Sequence, residues 1–311
     1  VGSVSSRNEM TQRRFDIRLD APDDALMQPG LLSCQGCGAA LAMKLALQGL
    51  GPKTVVVIPA CCAAVMVGGY PHCALNVPVV HVPFATAAAV ATGIRAGLNR
   101  RGEIDTVVMA WAGDGGTFDI GLQALSGAAE RNDDILFVCY DNEAYMNTGV
   151  QRSSATPEGA WTTTTPSGAI KAEPKKDIEK ILLGHHIPYL ATVSIAFPDH
   201  MIATFQKVRT LSGTRFVHLL CPCPPGWGID ASQSVRIARM ATLSRLFPLY
   251  EVENGTYRLS VVPERPIGVA DYFRAQGRFK EMTEEMTDAV QAAADRNWEA
   301  LCALALKPSD F

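Results

Sequence analysis

The sequence predicts an α/β protein built on a doubly wound, mostly parallel sheet. Three observations carry this. Helix-like and strand-like segments alternate from about residue 38. The strand-like segments are continuous β-branched or apolar runs, as in strands buried on both faces. Two polar turns that suit a ligand fall at the carboxyl ends of such strands, where open parallel sheets bind their ligands.

Each element follows from local pattern. Residues 1–30 are polar, contain Pro22 and Pro29 and show no clear period, so they are read as an N-terminal arm. Ala39 to Leu50 is helical in composition, and Thr54 to Ile58 is a β-branched strand. Ala85 to Asn99 is an Ala-rich helix, followed by a strand at Thr106 to Ala112, a helix at Ile120 to Glu130 and a strand at Ile135 to Tyr140. The polar stretch from Asn142 to Pro174 is too long for an ordinary connection, and its position points to a functional loop. Alternation resumes with a helix at Asp177 to His185, a strand at Tyr189 to Ser194, a helix at Asp199 to Leu211 and a strand at Phe216 to Cys221. Beyond about Gly226 come helices at Ser234 to Leu246 and Glu281 to Leu306, with an extended piece around Tyr257 to Val262. The expected division is an arm at 1–30, a cofactor domain at 31–226, and a C-terminal extension at 227–311 that packs on the core or on partner subunits.

Composition narrows the class. The chain has 311 residues, 48% hydrophobic and only 19% charged, with mean hydropathy +0.09. A subunit that loses much surface to partner chains has this balance. A net charge of −3 gives no basic field, so no nucleic-acid partner is expected. No apolar run approaches the roughly 20 residues of a membrane span, so no membrane association is expected. The start, Val1-Gly-Ser-Val-Ser-Ser, lacks the apolar region of a signal peptide and is expected to be a processed end. Nine cysteines without a secretory signal point to a reducing, cytoplasmic setting, where spaced cysteines serve as metal ligands.

Two constellations carry chemistry. The first is Gly113-Asp114-Gly115-Gly116 at the end of one strand, with Asp141-Asn142 at the end of the next, 28 residues after Asp114. Small residues let backbone N–H groups approach phosphate oxygens, and Asp114 offers Mg²⁺ a hard anionic oxygen. One strand–helix–strand unit returns the chain to the same sheet edge, so Asp114 and Asn142 can meet one ion. The pattern resembles the thiamine diphosphate motif, which implies a third metal ligand from the main-chain carbonyl of Ala144. The second constellation is Cys34-Gln35-Gly36-Cys37, whose spacing suits two corners of one metal site. Cys61-Cys62 and Cys221-Pro222-Cys223 each offer a further ligand, with the choice inside each pair open. Cys139 lies in an apolar strand and is assigned to the core; Cys73 and Cys302 are read as spectators.

The long motifs Cys34-Gln-Gly-Cys37-Gly38, Gly113-Asp-Gly-Gly-Thr-Phe-Asp-Ile-Gly121, Tyr140 to Ser154, Ala155 to Trp161 and Cys221-Pro-Cys-Pro-Pro-Gly-Trp227 are similar to those of the β subunit of the pyruvate and wider 2-oxoacid:ferredoxin oxidoreductase family. The resemblance runs from about residue 30 to Gln276-Gly277-Arg278-Phe279. It implies the thiamine diphosphate-binding version of the fold and a 4Fe–4S cluster beside that cofactor. In the family the third cluster cysteine follows the second by 25 residues, which selects Cys62, and the fourth precedes Pro-x-Gly-Trp, which selects Cys223. The implied ligand set is therefore Cys34, Cys37, Cys62 and Cys223. The implied reaction is oxidative decarboxylation of a small 2-oxoacid, with electrons passed to ferredoxin and coenzyme A as a possible acyl acceptor. Partners implied are the α and γ/δ-type subunits, one of which supplies the cofactor-activating Glu.

Two segments depart from the family. Cys62-Ala63-Ala64 lacks an acidic residue common after the third cysteine, and Phe84-Ala85-Thr86 stands where Phe-Glu-Asn is common. They leave the substrate open between pyruvate, the family default, and oxalate. Asn147 and Thr148 are candidates for polar groups facing the reacting carbon; Arg152 is a candidate for offsetting a substrate carboxylate, with a loop salt bridge as its favoured role. Against this stand two other classes: a non-oxidative thiamine diphosphate decarboxylase or transferase with a structural zinc, and an electron-transfer module without an active site.

Overall fold

The computed structural model describes residues 25–306. Most of the expected N-terminal arm, residues 1–24, lies outside the described residues. In order, the elements are α1 (Gly38–Leu50), β1 (Thr54–Pro59), α2 (Cys62–Val67), β2 (Val79–Val82), α3 (Ala87–Arg100) and β3 (Val107–Gly113). After a π-helical turn at Gly115–Asp119 come α4 (Leu122–Glu130), β4 (Leu136–Asp141), α5 (Ile178–Leu183), β5 (Tyr189–Ser194), α6 (Pro198–Val208) and β6 (Arg215–Leu220). Then follow α7 (Pro224–Trp227), α8 (Ser234–Leu243), β7 (Tyr250–Glu253), β8 (Thr256–Leu259), α9 (Val269–Arg274) and α10 (Glu284–Ala305).

The strands form one eight-stranded sheet in the order β2-β1-β3-β4-β6-β5-β7-β8. The first six are parallel; β7 and β8 join antiparallel beside β5. The expected doubly wound architecture is present. Residues 250–259 extend the sheet itself, so the region after residue 226 is continuous with the core.

Burial explains the parallel strands. Every residue of β3, β4, β5 and β6 is buried. Alternate side chains enter two apolar layers. Met109 and Trp111 of β3 pack with α1, α2 and α6, while Val108, Ala110 and Ala112 pack with α3, α4 and α5. A third cluster gathers Trp227, Tyr272, Phe273 and Phe279 beneath α8–α10. Sequence pattern missed α2, β2, β7 and α9, each only four to six residues long. Such short pieces carry less than two turns of period and are set by packing.

Strand order positions the site. From β1 the chain passes to β2 on one side and then to β3 on the other. The loops after β1 and β3 therefore diverge and open a crevice between them. Across the sheet, the ends of β1, β3, β4 and β6 deliver Cys62, Asp114, Asn142 and Cys223 in that spatial order.

Candidate active site

A cavity of about 320 Å³ sits on this carboxyl edge. Its wall includes Cys61, Cys62, Ala64, Val65, Phe84, Gly113 to Gly116, Tyr140, Asn142, and Ala144 to Thr148. The π-helical turn after β3 keeps the backbone close to the next strand. A Cβ on Gly115 would lie 2.1 Å from Cε1 of Tyr145, so only glycine lets that ring lie across the turn. Tyr145 is held there by its hydroxyl, which donates to Asp119 Oδ2 at 2.7 Å.

Three oxygens converge beside the cavity. With its oxygen on that side, the Asn142 amide approaches the Ala144 carbonyl to 2.9 Å and Asp114 Oδ1 to 3.1 Å; turned over, its nitrogen donates to both. Adjacent ligands of an octahedron with Mg–O bonds of 2.0–2.1 Å lie about 2.9 Å apart. Asp114 is buried, and its other oxygen accepts from Ser153 Oγ. Burial, then the nearby Asp141 carboxylate, pushes the Asp114 carboxyl well above its ordinary range. A cation at the three oxygens would relieve both.

The loop that presents these oxygens is fixed from behind. Glu143 N–H donates to Asp141 Oδ1 at 2.8 Å, a local turn that Asp favours. Glu143 itself takes a left-handed conformation, φ 68°, unusual for a side chain with a Cβ. Its carboxylate is tied to Lys175 at 2.9 Å and to Arg278 at 2.6 Å. Asp141 pairs with Lys175 and, at 2.8 Å, with His218 Nε2, whose Nδ1 meets Glu179 at 2.6 Å. Burial would raise the Asp141 carboxyl, but Lys175 and His218 hold it down to about 2. Burial would lower the His218 pKa, but Glu179 and Asp141 raise it to about 9.

The cysteines approach from three helix starts. Cys37 precedes α1, Cys62 begins α2 and Cys223 precedes α7. Gly38 N–H donates to the Pro222 carbonyl at 3.2 Å, and Ser234 Oγ donates to the Gly36 carbonyl at 2.6 Å, which stitches the Cys34–Cys37 loop to the Cys223 loop. Gly36 has φ 72°, and a Cβ there would meet the Ala231 carbonyl oxygen at 2.2 Å. Burial and then Cys223, Cys61 and Cys37 push the Cys62 thiol up to about 12. Cys223 is pushed up to about 11, by burial and by Cys37 and Cys34, against an opposing contact from the Gly226 amide. Cys37 lies near enough to act on both Cys62 and Cys223. Among the described residues, no three His, Cys, Asp or Glu side chains gather tightly enough to hold a single ion. Cys61 turns its thiol to the Pro59 carbonyl at 2.9 Å, and Cys139 and Cys221 are buried in the core.

Asn147 and Thr148 stand at the exposed rim of the cavity, with Thr148 Oγ1 donating to Gln151 Oε1 at 2.5 Å. Arg152 is not in the cavity wall; its guanidinium reaches Glu173 at 3.3 Å on the surface. Sequence reasoning missed Ser153, Lys175, His218, Trp227 and Arg278. Ser153, Trp227 and Arg278 stood inside the quoted motifs without an assigned role, and His218 left its own signal, a lone imidazole inside the apolar run of β6.

The fold and this edge define a thiamine diphosphate enzyme. A family model described as "Thiamine pyrophosphate enzyme, C-terminal TPP binding domain" matches residues 60–219. The ketoisovalerate oxidoreductase subunit VorB of Pyrococcus horikoshii is 45% identical over 298 residues, covering 93% of this chain and 96% of that one. The pyruvate synthase subunit PorB of Methanothermobacter marburgensis is 44% identical over 277 residues, covering 88% and 96%. The chain belongs to the family of 2-oxoacid:ferredoxin oxidoreductase β subunits. The solved 2-oxoglutarate:ferredoxin oxidoreductase from Magnetococcus marinus shares the fold, with a TM-score of 0.57 at 18% identity over 94% of this chain and 98% of that chain. No helix among the described residues is long and apolar enough to cross a membrane.

Proposed function

We propose that this chain is the thiamine diphosphate- and cluster-bearing subunit of a cytoplasmic complex that oxidatively decarboxylates a small 2-oxoacid with an apolar side chain. One observation carries the reading: a single cavity touches both the converging oxygens of Asp114, Asn142 and Ala144 and the sulfur-bearing residue Cys62. A diphosphate cofactor and an electron acceptor would be neighbours there.

The residues suit both groups. Asp114, Asn142 and the Ala144 carbonyl would hold Mg²⁺, with Gly113, Gly115 and Gly116 leaving room for diphosphate oxygens. Cys34, Cys37, Cys62 and Cys223 would hold a 4Fe–4S cluster, one sulfur per iron. Several thiolates in one partly buried neighbourhood repel, which a cationic centre offsets. A structural zinc needs four ligands at about 2.0–2.3 Å from one point, and the sulfurs as they lie do not gather around a single ion. When bound, thiamine diphosphate supplies the electron sink for decarboxylation and the cluster a one-electron acceptor. The protein orients and encloses. Val65, Phe84 and Met146 present apolar surface, while Asn147 and Thr148 offer polar groups at the rim.

Side-chain chemistry separates the substrates. Among the described residues the cavity wall carries no Lys, Arg or His, so its lining offers the second carboxylate of oxalate no cationic partner. The apolar wall suits pyruvate or a branched 2-oxoacid. Ferredoxin, coenzyme A and the α and γ/δ-type subunits complete the proposed system. The test is viologen reduction by the purified complex with pyruvate, 2-ketoisovalerate, 2-oxoglutarate and oxalate, with and without coenzyme A. Activity confined to oxalate, or zinc in place of iron, would overturn the reading.

A further inference from the structure

We propose that Arg278 and Trp227 are positioning residues that lock the metal-presenting loop to the loop of the fourth cluster cysteine. The inference rests on the Mg²⁺ and cluster assignments above.

Arg278 comes from the far end of the chain, between α9 and α10, yet its side chain is buried under the 141–144 loop. Its guanidinium pairs with Glu143 at 2.6 Å, and its Nε donates to Gln276 Oε1 at 3.0 Å. The guanidinium carbon stacks 3.7 Å from the centre of the Trp227 ring. The indole Nε1–H of Trp227 donates to the main-chain carbonyl of Asn142 at 2.7 Å. Trp227 N–H in turn donates to the Cys223 carbonyl at 2.8 Å. The Arg278 carbonyl accepts from Trp161 N–H at 2.8 Å, which anchors the long loop after β4 to the same point.

The physical consequence lies at Asn142. Its side chain must face Asp114 and the Ala144 carbonyl while its own carbonyl points the other way. The turn that allows this places Glu143 in the left-handed region, which costs on the order of 1 kcal/mol or more. Beside the Asp141 turn and the Lys175 pair, two further contacts hold that turn from behind: the indole on the Asn142 carbonyl and the guanidinium on Glu143. Both come from residues that touch neither cavity nor proposed metal. Arg is suited to this task because its flat face stacks while its edge pairs with a carboxylate. Lysine supplies the charge without the stack.

The experiment uses the whole complex and measures the dissociation constant of thiamine diphosphate in excess Mg²⁺, iron content, the reduced-cluster EPR spectrum, and KM for the 2-oxoacid. Trp227→Phe keeps the ring and removes the donor to Asn142. Arg278→Lys keeps the charge and removes the stack. Each is expected to weaken cofactor binding about 10-fold, the lower end of the range for partners behind a metal ligand. Iron content, EPR spectrum and the 2-oxoacid KM at saturating cofactor should stay near wild type. If Arg278→Lys does not assemble, Trp227→Phe decides alone. Unchanged cofactor affinity in Trp227→Phe overturns the proposal, as does loss of iron in parallel with cofactor. Asp114→Ala serves as the control. If it retains thiamine diphosphate, the metal assignment fails; if it loses the cofactor while Trp227→Phe does not weaken it, only the positioning role fails.

Discussion

The oxygen edge at β3–β4 and the cysteine cup at α1, α2 and α7 meet at one cavity through Cys62 but are built in opposite ways. The oxygen edge is held by charge already in the protein. Asp141, Glu143, Lys175, His218, Glu179 and Arg278 form a buried network of opposite charges that fixes the loop before any ligand arrives. The cysteine cup has its backbone fixed by hydrogen bonds between its loops, and no such ion-pair network holds its sulfurs among the described residues. Burial, and then the neighbouring thiols, raise the Cys37, Cys62 and Cys223 thiols, so thiolates there would be offset by a positive centre such as the proposed cluster. One region is preorganised; the other would be completed by the proposed cluster. Substitutions in the two should therefore separate cleanly.

The largest effect is expected at Asp114. If this buried carboxylate holds Mg²⁺ as proposed, replacing it with Ala should cost at least about 100-fold in thiamine diphosphate affinity, the top of the range seen when only a supporting residue is lost. Cofactor content after gel filtration of the complex measures this. Iron should stay, because no cluster cysteine touches Asp114 through a hydrogen bond. Retained stoichiometric cofactor would break the distinction between the two regions.

In the cup, Cys62→Ser should lose the cluster and with it electron output, while Cys61→Ser should leave iron near normal. The adjacent thiols differ: Cys61 bonds back to the Pro59 carbonyl, while burial and the nearby Cys223, Cys61 and Cys37 raise the Cys62 thiol. Iron analysis of the two variants decides it, and the reverse outcome would shift the ligand register by one residue.

These two regions were also unequally legible in the sequence. Asp114, Asn142 and Cys34 to Cys37 stand in local motifs whose chemistry can be read from spacing. The parallel core was legible because β1 and β3 to β6 are apolar runs bounded by turns. What holds the oxygen edge was not. Lys175 looks like one of two lysines after a proline, and Arg278 stands in the Gln276–Phe279 motif with no partner in view, yet both pair with Glu143, Arg278 buried and Lys175 partly so. Their partners lie 32 and 135 residues away in sequence, and no local period records such a pairing. Arg152 was legible in its simpler role: a loop salt bridge is the favoured reading of that residue, and the chain turns at Val150, φ 63°, and pairs it with Glu173 at the surface.

The charged network predicts a pH dependence that the cup does not share. His218 has its folded-state pKa raised to about 9 from an ordinary 6.5, because its two carboxylate partners outweigh burial. A raised pKa contributes stability that is fully present below pH 6.5 and is lost as pH rises through about 9. The shift corresponds to about 3 kcal/mol. The thermal midpoint of the complex should fall over that window, and His218→Gln should flatten the fall. An unchanged slope in the variant would place the pH dependence elsewhere.

The smallest effect is expected at Arg152. If it offset a substrate carboxylate, Arg152→Ala would raise the 2-oxoacid KM by an order of magnitude or more. The structure gives it a different task. Its guanidinium is 39% exposed and meets Glu173, itself 68% exposed, at 3.3 Å. Pairs of this kind contribute about 0–1 kcal/mol, because water screens the attraction and two flexible side chains must be ordered. The backbone of the residue is held independently, with Arg152 N–H donating to Thr164 Oγ1 at 2.9 Å. Removing the side chain therefore leaves the loop in place, and KM and kcat should change by less than about 3-fold. The same change should appear in Glu173→Ala, since both variants break one surface pair. A large KM increase in Arg152→Ala alone would mean that the loop brings Arg152 to the cavity when substrate binds, and would return it to the site.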